Sequence, residues 1–294
     1  MSFRLEMLQV ARVAPKALGE SAELVAEFLK GKVSSEGGFM DRGGKPDLYY
    51  SVFGLEGMLA LQVEPPREKM AAWLETFGDG EGLDFVHLCS LARCWRGIWD
   101  REIASRPRAA LAERIEAFRT EDGGFHQARG KKHGNAYGGL LAGAAYEDLG
   151  LVVPKPEGLA LVMLGLQTAD GAFSNERGQT VGSTTATAAA AAFYRHAGIP
   201  VPGELKTWIL NQCTAAGGFL AFPQAPLPDL LSTAVALHAL DGMQADLSGV
   251  RELCLDFVDS LWSAEGGFHG HWADDDLDCE YTYYGLLALG HLTI

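Results

Sequence analysis

The sequence predicts an all-α protein, a closed ring of six helical hairpins in an α6–α6 barrel, and three observations carry that prediction. A short phrase, a small or acidic residue followed by Gly-Gly-Phe, recurs along the chain. An amphipathic stripe of helical period precedes each copy. A second helical stretch, apolar on nearly every side and rich in Ala, Gly, Ser and Thr, follows each copy.

The phrase reads Glu36-Gly37-Gly38-Phe39, Asp122-Gly123-Gly124-Phe125, Asp170-Gly171-Ala172-Phe173, Ala216-Gly217-Gly218-Phe219 and Glu265-Gly266-Gly267-Phe268. The third residues of these copies are 86, 48, 46 and 49 positions apart. The first interval is nearly double the others, so a degenerate copy is expected near residue 81, where Gly78-Asp79-Gly80-Glu81-Gly82-Leu83 stands. A fixed period of this size marks a repeat architecture, here one domain over 1–294.

The first helices of the hairpins are expected at 22–30, 67–77, 108–118, 156–167, 203–213 and 250–262. In the last of these, Val250, Leu253, Cys254, Phe257, Val258, Leu261 and Trp262 recur at steps of three and four, the spacing of one helix face. The second helices are expected at 47–61, 83–95, 135–146, 183–196, 228–240 and 278–291. A helix apolar all round is buried, and small side chains let such helices approach closely. Glycine ends a helix in the left-handed region without steric cost. The Phe then plugs the gap between hairpins, contributing roughly 1.5–3 kcal/mol on burial. Hairpins of this kind stack into an open superhelix or close on themselves. The distinct buried class of second helix favours closure: six inner helices around a channel, six outside.

The 294 residues are 48% apolar and 21% charged, which excludes a disordered chain. No apolar run is long enough to span a bilayer. A net charge of −14 repels phosphate backbones and argues against nucleic acid as a partner. Five scattered cysteines with no Cys-x-x-Cys pair form neither a disulfide framework nor a four-thiolate zinc site. Arg4 and Glu6 interrupt any signal-peptide core, so a reducing cytoplasm is expected. There is no P-loop and no nucleophile elbow, and the glycine phrases follow helices rather than strands.

Two motifs carry a resemblance to a family. The run Gln167–Phe173 looks like the Gln-x-x-x-Gly-x-Trp/Phe phrase, and Tyr281–Gly290 looks like the inner-helix phrase, of the prenyltransferase and squalene-cyclase superfamily. The chain resembles this α/α toroid over nearly its whole length, and its Gly-Gly-Phe turns are most similar to those of protein prenyltransferase β subunits. The resemblance implies a toroid that holds an isoprenoid. It also implies a helical partner protein, since such β subunits pair with a helical-repeat subunit. The superfamily includes zinc enzymes that alkylate peptide thiols and cyclases that protonate polyenes.

The resemblance assigns zinc to an Asp-x-Cys at the start of one inner helix and a His in the next. Here Asp229 is kept, but Leu231 stands in place of the Cys and Tyr281 in place of the His, so the set is degraded. A shifted metal site would draw on His269, His271, Asp278 and Cys279, all acceptable zinc ligands. No cofactor is assigned; zinc or magnesium are the ions such a site would hold. For the cyclases the resemblance implies clustered aspartates as the acid, because like charges raise one another's pKa. Asp274, Asp275, Asp276 and Asp278 are the candidates, with Asp276, Asp278 and Tyr281 as catalytic residues. The bland alternative is a solvated run that caps the following helix.

Two basic clusters precede inner helices and are similar to the family's diphosphate-binding sets. One holds Arg42, Lys45 and Tyr50; the other holds Arg129, Lys131, Lys132, His133 and Tyr137. Both would rim one mouth of the ring, where charge-assisted bonds and helix N-termini suit a phosphate. The aromatic residues Tyr49, Phe53, Phe85, Trp95, Tyr283 and Tyr284 fall on inner helices and are the expected lining of a lipid channel. The leading expectation is therefore a toroid that binds prenyl diphosphate or another lipid, with prenyl transfer as its activity. Two alternatives stand beside it: a non-enzymatic scaffold for a protein partner, and a terpene cyclase acting through Asp274–Asp278.

Overall fold

The computed structural model describes residues 2–98 and 105–294. Among these residues there is no β-strand, and fourteen helices follow one another. They are α1 (Phe3–Ala11), α2 (Pro15–Leu18), α3 (Ser21–Gly31), α4 (Leu48–Ala60), α5 (Arg67–Glu75), α6 (Phe85–Ile98) and α7 (Ser105–Glu116). Then come α8 (Ala136–Asp148), α9 (Pro156–Leu164), α10 (Thr184–His196), α11 (Glu204–Leu210), α12 (Leu230–Gly242), α13 (Arg251–Ser260) and α14 (Cys279–Thr293). Helices α4, α6, α8, α10, α12 and α14 form the inner layer. Each packs on the next, and α14 packs on α4, so the ring closes. The odd-numbered helices from α3 to α13 form the outer layer.

Each inner helix starts at the same end of the ring, on a side chain that caps it. Asp47, Asn135, Ser183, Asp229 and Asp278 accept the N–H three residues on, at 3.0, 2.7, 3.3, 2.7 and 2.8 Å. Asp84 does the same for His87 at 2.9 Å. Such a cap contributes about 1 kcal/mol and satisfies one orphan donor. Six polar caps therefore encircle one mouth, and the bland reading of Asp278 as a helix cap is what the backbone shows.

The Gly-Gly-Phe turns do two jobs. Their phenylalanines, Phe39, Phe125, Phe173, Phe219 and Phe268, are all fully buried. Four of their backbone N–H groups donate to a hydroxyl on the following inner helix: Phe39 to Ser51, Phe173 to Thr187, Phe219 to Thr233 and Phe268 to Thr282. The Ser and Thr of the inner helices are thus hooks for the turns as well as small packing residues. The glycines sit where the next repeat's outer helix crosses. Gly217 has φ +83°, and a Cβ there would strike the Leu253 carbonyl on α13. Gly266, at φ +92°, meets the Leu24 carbonyl of α3 in the same way, so the sixth turn lies on the first outer helix. The outer layer closes along with the inner one. The degenerate second copy keeps its glycines but has no buried phenylalanine plug.

Two helices, α1 and the short α2, lie outside the six hairpins. Helix α1 begins on Ser2, whose hydroxyl accepts from Leu5 N–H at 3.3 Å, and crosses the opposite end of the ring. It packs on α4, α8 and α14. It reaches α10 as well, where Phe3 stacks on His196 with ring centroids 3.7 Å apart and Glu6 pairs with His196 at 3.1 Å. Helix α1 therefore covers the end of the inner ring opposite the caps.

Candidate functional site

At the capped mouth, α4, α8 and α14 each place their second residue at one level: Tyr49, Tyr137 and Glu280. The Tyr49 hydroxyl donates to Glu280 Oε1 at 2.6 Å. Below this level Phe53 packs edge-on to Tyr49, with centroids 5.0 Å apart, and lies 5.4 Å from Tyr284. Phe53, Leu140, Ala192, Val235 and Tyr284 are only half-buried although their helices are jacketed by the outer layer, and Tyr137 is 37% exposed. Their accessibility comes from the bore itself. Helix α10 stands across the ring from α4 and turns small residues, Ala188, Ala189 and Ala192, where α4 carries aromatic ones. A bulky wall faces a slim one across the axis.

Burial pushes the Glu280 carboxyl up to about 7, and the nearby Asp278 charge adds to the effect, while the Tyr49 hydroxyl and Arg42 oppose it. Glu280 thus holds its proton close to neutral pH. Burial likewise pushes the phenols Tyr137 and Tyr281 up to about 12 and raises Tyr49 further. The mouth is lined by proton-holding groups over an aromatic and aliphatic throat.

The first basic cluster does not gather as a free anion site. Arg42 is shared by three carboxylates: Asp278 at 2.7 Å, Asp274 at 2.9 Å and Asp276 at 3.2 Å. Its guanidinium also lies 5.6 Å from the Tyr281 ring centroid. Partial burial raises Asp274, but the Arg42 hydrogen bond and charge, together with the backbone N–H groups of Asp276 and Gly270, hold it below the ordinary carboxylate range. The clustered aspartates and Arg42, read from the sequence as acid and diphosphate ligand, are each other's partners. They form a clamp between the first and sixth repeats, and the reading of the cluster as a proton donor is corrected accordingly. Lys45 is exposed, while Tyr50 is half-buried beside Tyr49.

The second cluster spreads apart. Arg129 lies over the Phe118 ring at 4.8 Å, against the outer layer. Lys131, Lys132 and His133 are exposed, and His133 Nδ1 is 3.3 Å from Asp122. Only Tyr137 of this set reaches the bore. Among charged side chains, the carboxylates Glu280 and Asp84 act on Tyr137, and no lysine does.

Three expected lining residues are corrected. Phe85 is fully buried against Phe118 and Phe125, at centroid distances of 5.2 and 6.3 Å, because the first turn of α6 faces the plug of the next repeat. Trp95 is buried in the wall. Tyr283 is also buried, packed 6.1 Å from Phe53. Tyr49, Phe53 and Tyr284 line the bore.

The weak metal candidates do not converge. Asp229 binds the backbone and hydroxyl of Ser232, both at 2.7 Å. His269 Nδ1 contacts the Asp276 carbonyl at 3.1 Å, and His271 Nδ1 accepts from Ala273 N–H at 3.1 Å. Cys279 is fully buried, and burial raises its thiol. Among the described residues no three His, Cys, Asp or Glu side chains are grouped to hold a metal ion.

Two residues of the mouth escape the sequence reading. Glu280 was readable from its helical register, four residues before Tyr284 on the same face. His87 bridges two caps, Asp47 at 3.0 Å and Asp84 at 2.9 Å, and the Asp47 hydrogen bond pushes it up to about 9. Asp47 is 40 residues from His87 in the chain, so no local pattern announces the bridge.

Among the described residues, no helix is long and apolar enough to cross a membrane. No curated protein matches the sequence. Among solved structures, the type II terpene cyclase MstE from Scytonema superposes with a TM-score of 0.61 at 13% identity, over 94% of this chain and 97% of that one. A GH76A alpha-1,6-mannanase from Salegentibacter sp. HEL1_6 gives 0.57 at 16%, over 93% and 98%. The protein geranylgeranyltransferase-I of Candida albicans, complexed with GGPP, gives 0.50 at 14%, over 98% and 82%. A glycosidase among these neighbours shows that the barrel alone does not carry one chemistry. The family description "Prenyltransferase alpha-alpha toroid domain" matches residues 16–78 and 201–293, more than half of the sequence. Together with the closed double ring of hairpins, this match places the chain in the prenyltransferase α/α-toroid domain family.

Proposed function

We propose that the protein binds an isoprenoid in the axial bore and that Glu280 donates a proton to an alkene of that ligand. The observation that carries this reading is the Glu280–Tyr49 pair: a carboxylic acid whose pKa is pushed to about 7, set at the mouth of an aromatic-lined throat. A general acid works best when its pKa lies near the operating pH. Proton transfer to the alkene carbon forms a C–H bond and leaves a carbocation. The Glu280 carboxylate that remains accepts the Tyr49 hydrogen bond and feels the Arg42 charge, both of which favour the ionised form. The aromatic faces of Tyr49, Phe53 and Tyr284 attract the cation. Loss of a proton from a neighbouring carbon, after any ring closure, restores neutrality.

The reading agrees with what two structural neighbours hold. MstE has been captured with geranylgeranyl dihydroxybenzoate, and the Candida enzyme with GGPP. Of these, a ligand without a diphosphate suits this mouth better, because its nearest cation, Arg42, is already held by three aspartates. Diphosphate recognition would fall to Lys45, Lys131 and Lys132 on the surrounding loops.

Incubation of the protein with prenyl alcohols and prenylated phenols, followed by gas chromatography with mass spectrometry, tests the proposal. The wild type is expected to isomerise or cyclise at least one of them, and Glu280→Gln is expected to bind the same ligand without converting it. Binding without conversion by the wild type removes the acid role, and absence of binding removes the whole reading.

A further inference from the structure

The bore has a second polar level. Glu56 and Arg93 are each the ninth residue of their helices, α4 and α6, and they meet Asp148 at the end of α8 and Arg4 of α1. Arg4 pairs with Glu56, and Arg93 pairs with Asp148. The two pairs lie toward the end of the inner helices that α1 covers. On α4, Tyr49, Phe53 and Glu56 follow the i, i+4, i+7 spacing of a single helix face. Glu56 therefore lies directly beneath the throat.

This floor is buried but not satisfied. Glu56 is 2% exposed, Asp148 5% and Arg4 8%. Arg4 occupies Glu56 Oε1, whereas Glu56 Oε2 is buried and accepts no hydrogen bond. A buried acceptor without a donor costs free energy, and a ligand that brings a donor removes that cost. A plain hydrocarbon end would instead leave the carboxylate oxygen unpaired against it.

The separation of the two levels sets the size of the ligand. Tyr49 and Glu56 are seven residues apart, so at about 1.5 Å per residue the mouth and the floor are about 10 Å apart along the helix. With C–C bonds of about 1.5 Å, an extended isoprene unit of four chain carbons spans roughly 5 Å, so two such units bridge the levels.

We propose that Glu56, held by Arg4 above the covering helix, is a second ligand anchor, and that the bore takes a short isoprenoid of about two units with a hydroxyl at its buried end as well as a polar group at the mouth. The inference rests on the isoprenoid reading above and adds the polarity of the far end to it. The upper anchor is Glu280 with Tyr49, and the lower one is Glu56 Oε2.

The test compares geraniol with its ω-hydroxylated diol by calorimetry on the intact chain. A hydrogen bond to a buried oxygen that otherwise has no partner predicts that the diol binds about ten-fold more tightly. The Arg4→Met, Glu56→Leu double variant removes both members of one buried pair and leaves no lone charge. It is expected to bind both alcohols equally, near the wild-type affinity for geraniol. Equal affinity of the wild type for the two alcohols, or a preference for geraniol, overturns the second anchor while leaving the isoprenoid reading intact. Binding of neither alcohol, when longer prenyl alcohols bind, overturns the length and the anchor together. Binding of no prenyl compound at all overturns the reading beneath them. If the double variant fails to fold, the wild-type comparison alone decides.

Discussion

Replacing Glu280 by Gln exposes the cost of the buried acid without needing a substrate. The carboxyl titrates at its ordinary 4.5 in the unfolded chain and at about 7 in the folded one. Below 4.5 both states hold the proton, and the group adds nothing to the pH dependence. Between 4.5 and 7 the folded state binds more protons than the unfolded state, so stability falls as pH rises. Above 7 both states are ionised and the full loss has been reached. The interval from 4.5 to about 7 corresponds to about 3 kcal/mol, and residual solvent access at the mouth brings the expected figure to about 2–3 kcal/mol. Glutamine has no proton to lose and still accepts from Tyr49, so its own effect is a constant offset. Urea unfolding of both proteins at intervals from pH 4 to 8.5 gives the difference directly, because titrations common to both cancel. The wild type is expected to lose about 2–3 kcal/mol relative to the variant across that window. A flat difference, or one that rises with pH, refutes the claim that Glu280 is held protonated.

Two further perturbations probe the ring itself. Arg42→Ala leaves the buried Asp278 without its guanidinium; since Arg42 is 33% exposed, the expected loss is about 2 kcal/mol, lessened in high salt. Urea midpoints at low and high salt check this, and an unchanged midpoint would reduce the clamp to a surface ornament. Thr233→Val strips the acceptor from the buried Phe219 N–H and is expected to cost about 1–3 kcal/mol, whereas Thr233→Ser retains most of the stability. Equal losses in the two variants would mean that shape, and not the hydrogen bond, holds the turn.

The architecture was legible because one device is repeated. The spacing of the Gly-Gly-Phe phrases set the number of hairpins, and the apolar, small-residue composition of 183–196 marked it as inner helix. What lay outside the repeat was harder to read. Helix α1 has an ordinary composition and gave no sign that it covers one end of the ring. Its role depends on Arg4 and Glu6 finding partners 52 and 189 residues away. The site was legible by region and not by residue. Aromatic inner helices pointed to the bore, but a one-dimensional pattern does not say that Phe85 faces the outer layer while Phe53 faces the axis. Arg42 and the aspartates at 274–278 each carried a separate meaning in the sequence, and only closure of the ring brings them together and cancels both. Glu280 was overlooked because its chemistry comes from burial, which a lone Glu between Cys279 and Tyr281 does not advertise.

Because the sixth turn rests on the first outer helix just as every other turn rests on its successor, no hairpin occupies a terminus in space. An open stack frays from its outermost members inward, and its partly melted forms retain a folded remnant. In a hoop, losing any one member removes both flanking supports at once. Melting is then expected as one all-or-nothing event, and amide exchange in α3–α4 should match that in α10–α12, despite their different distances from the chain ends.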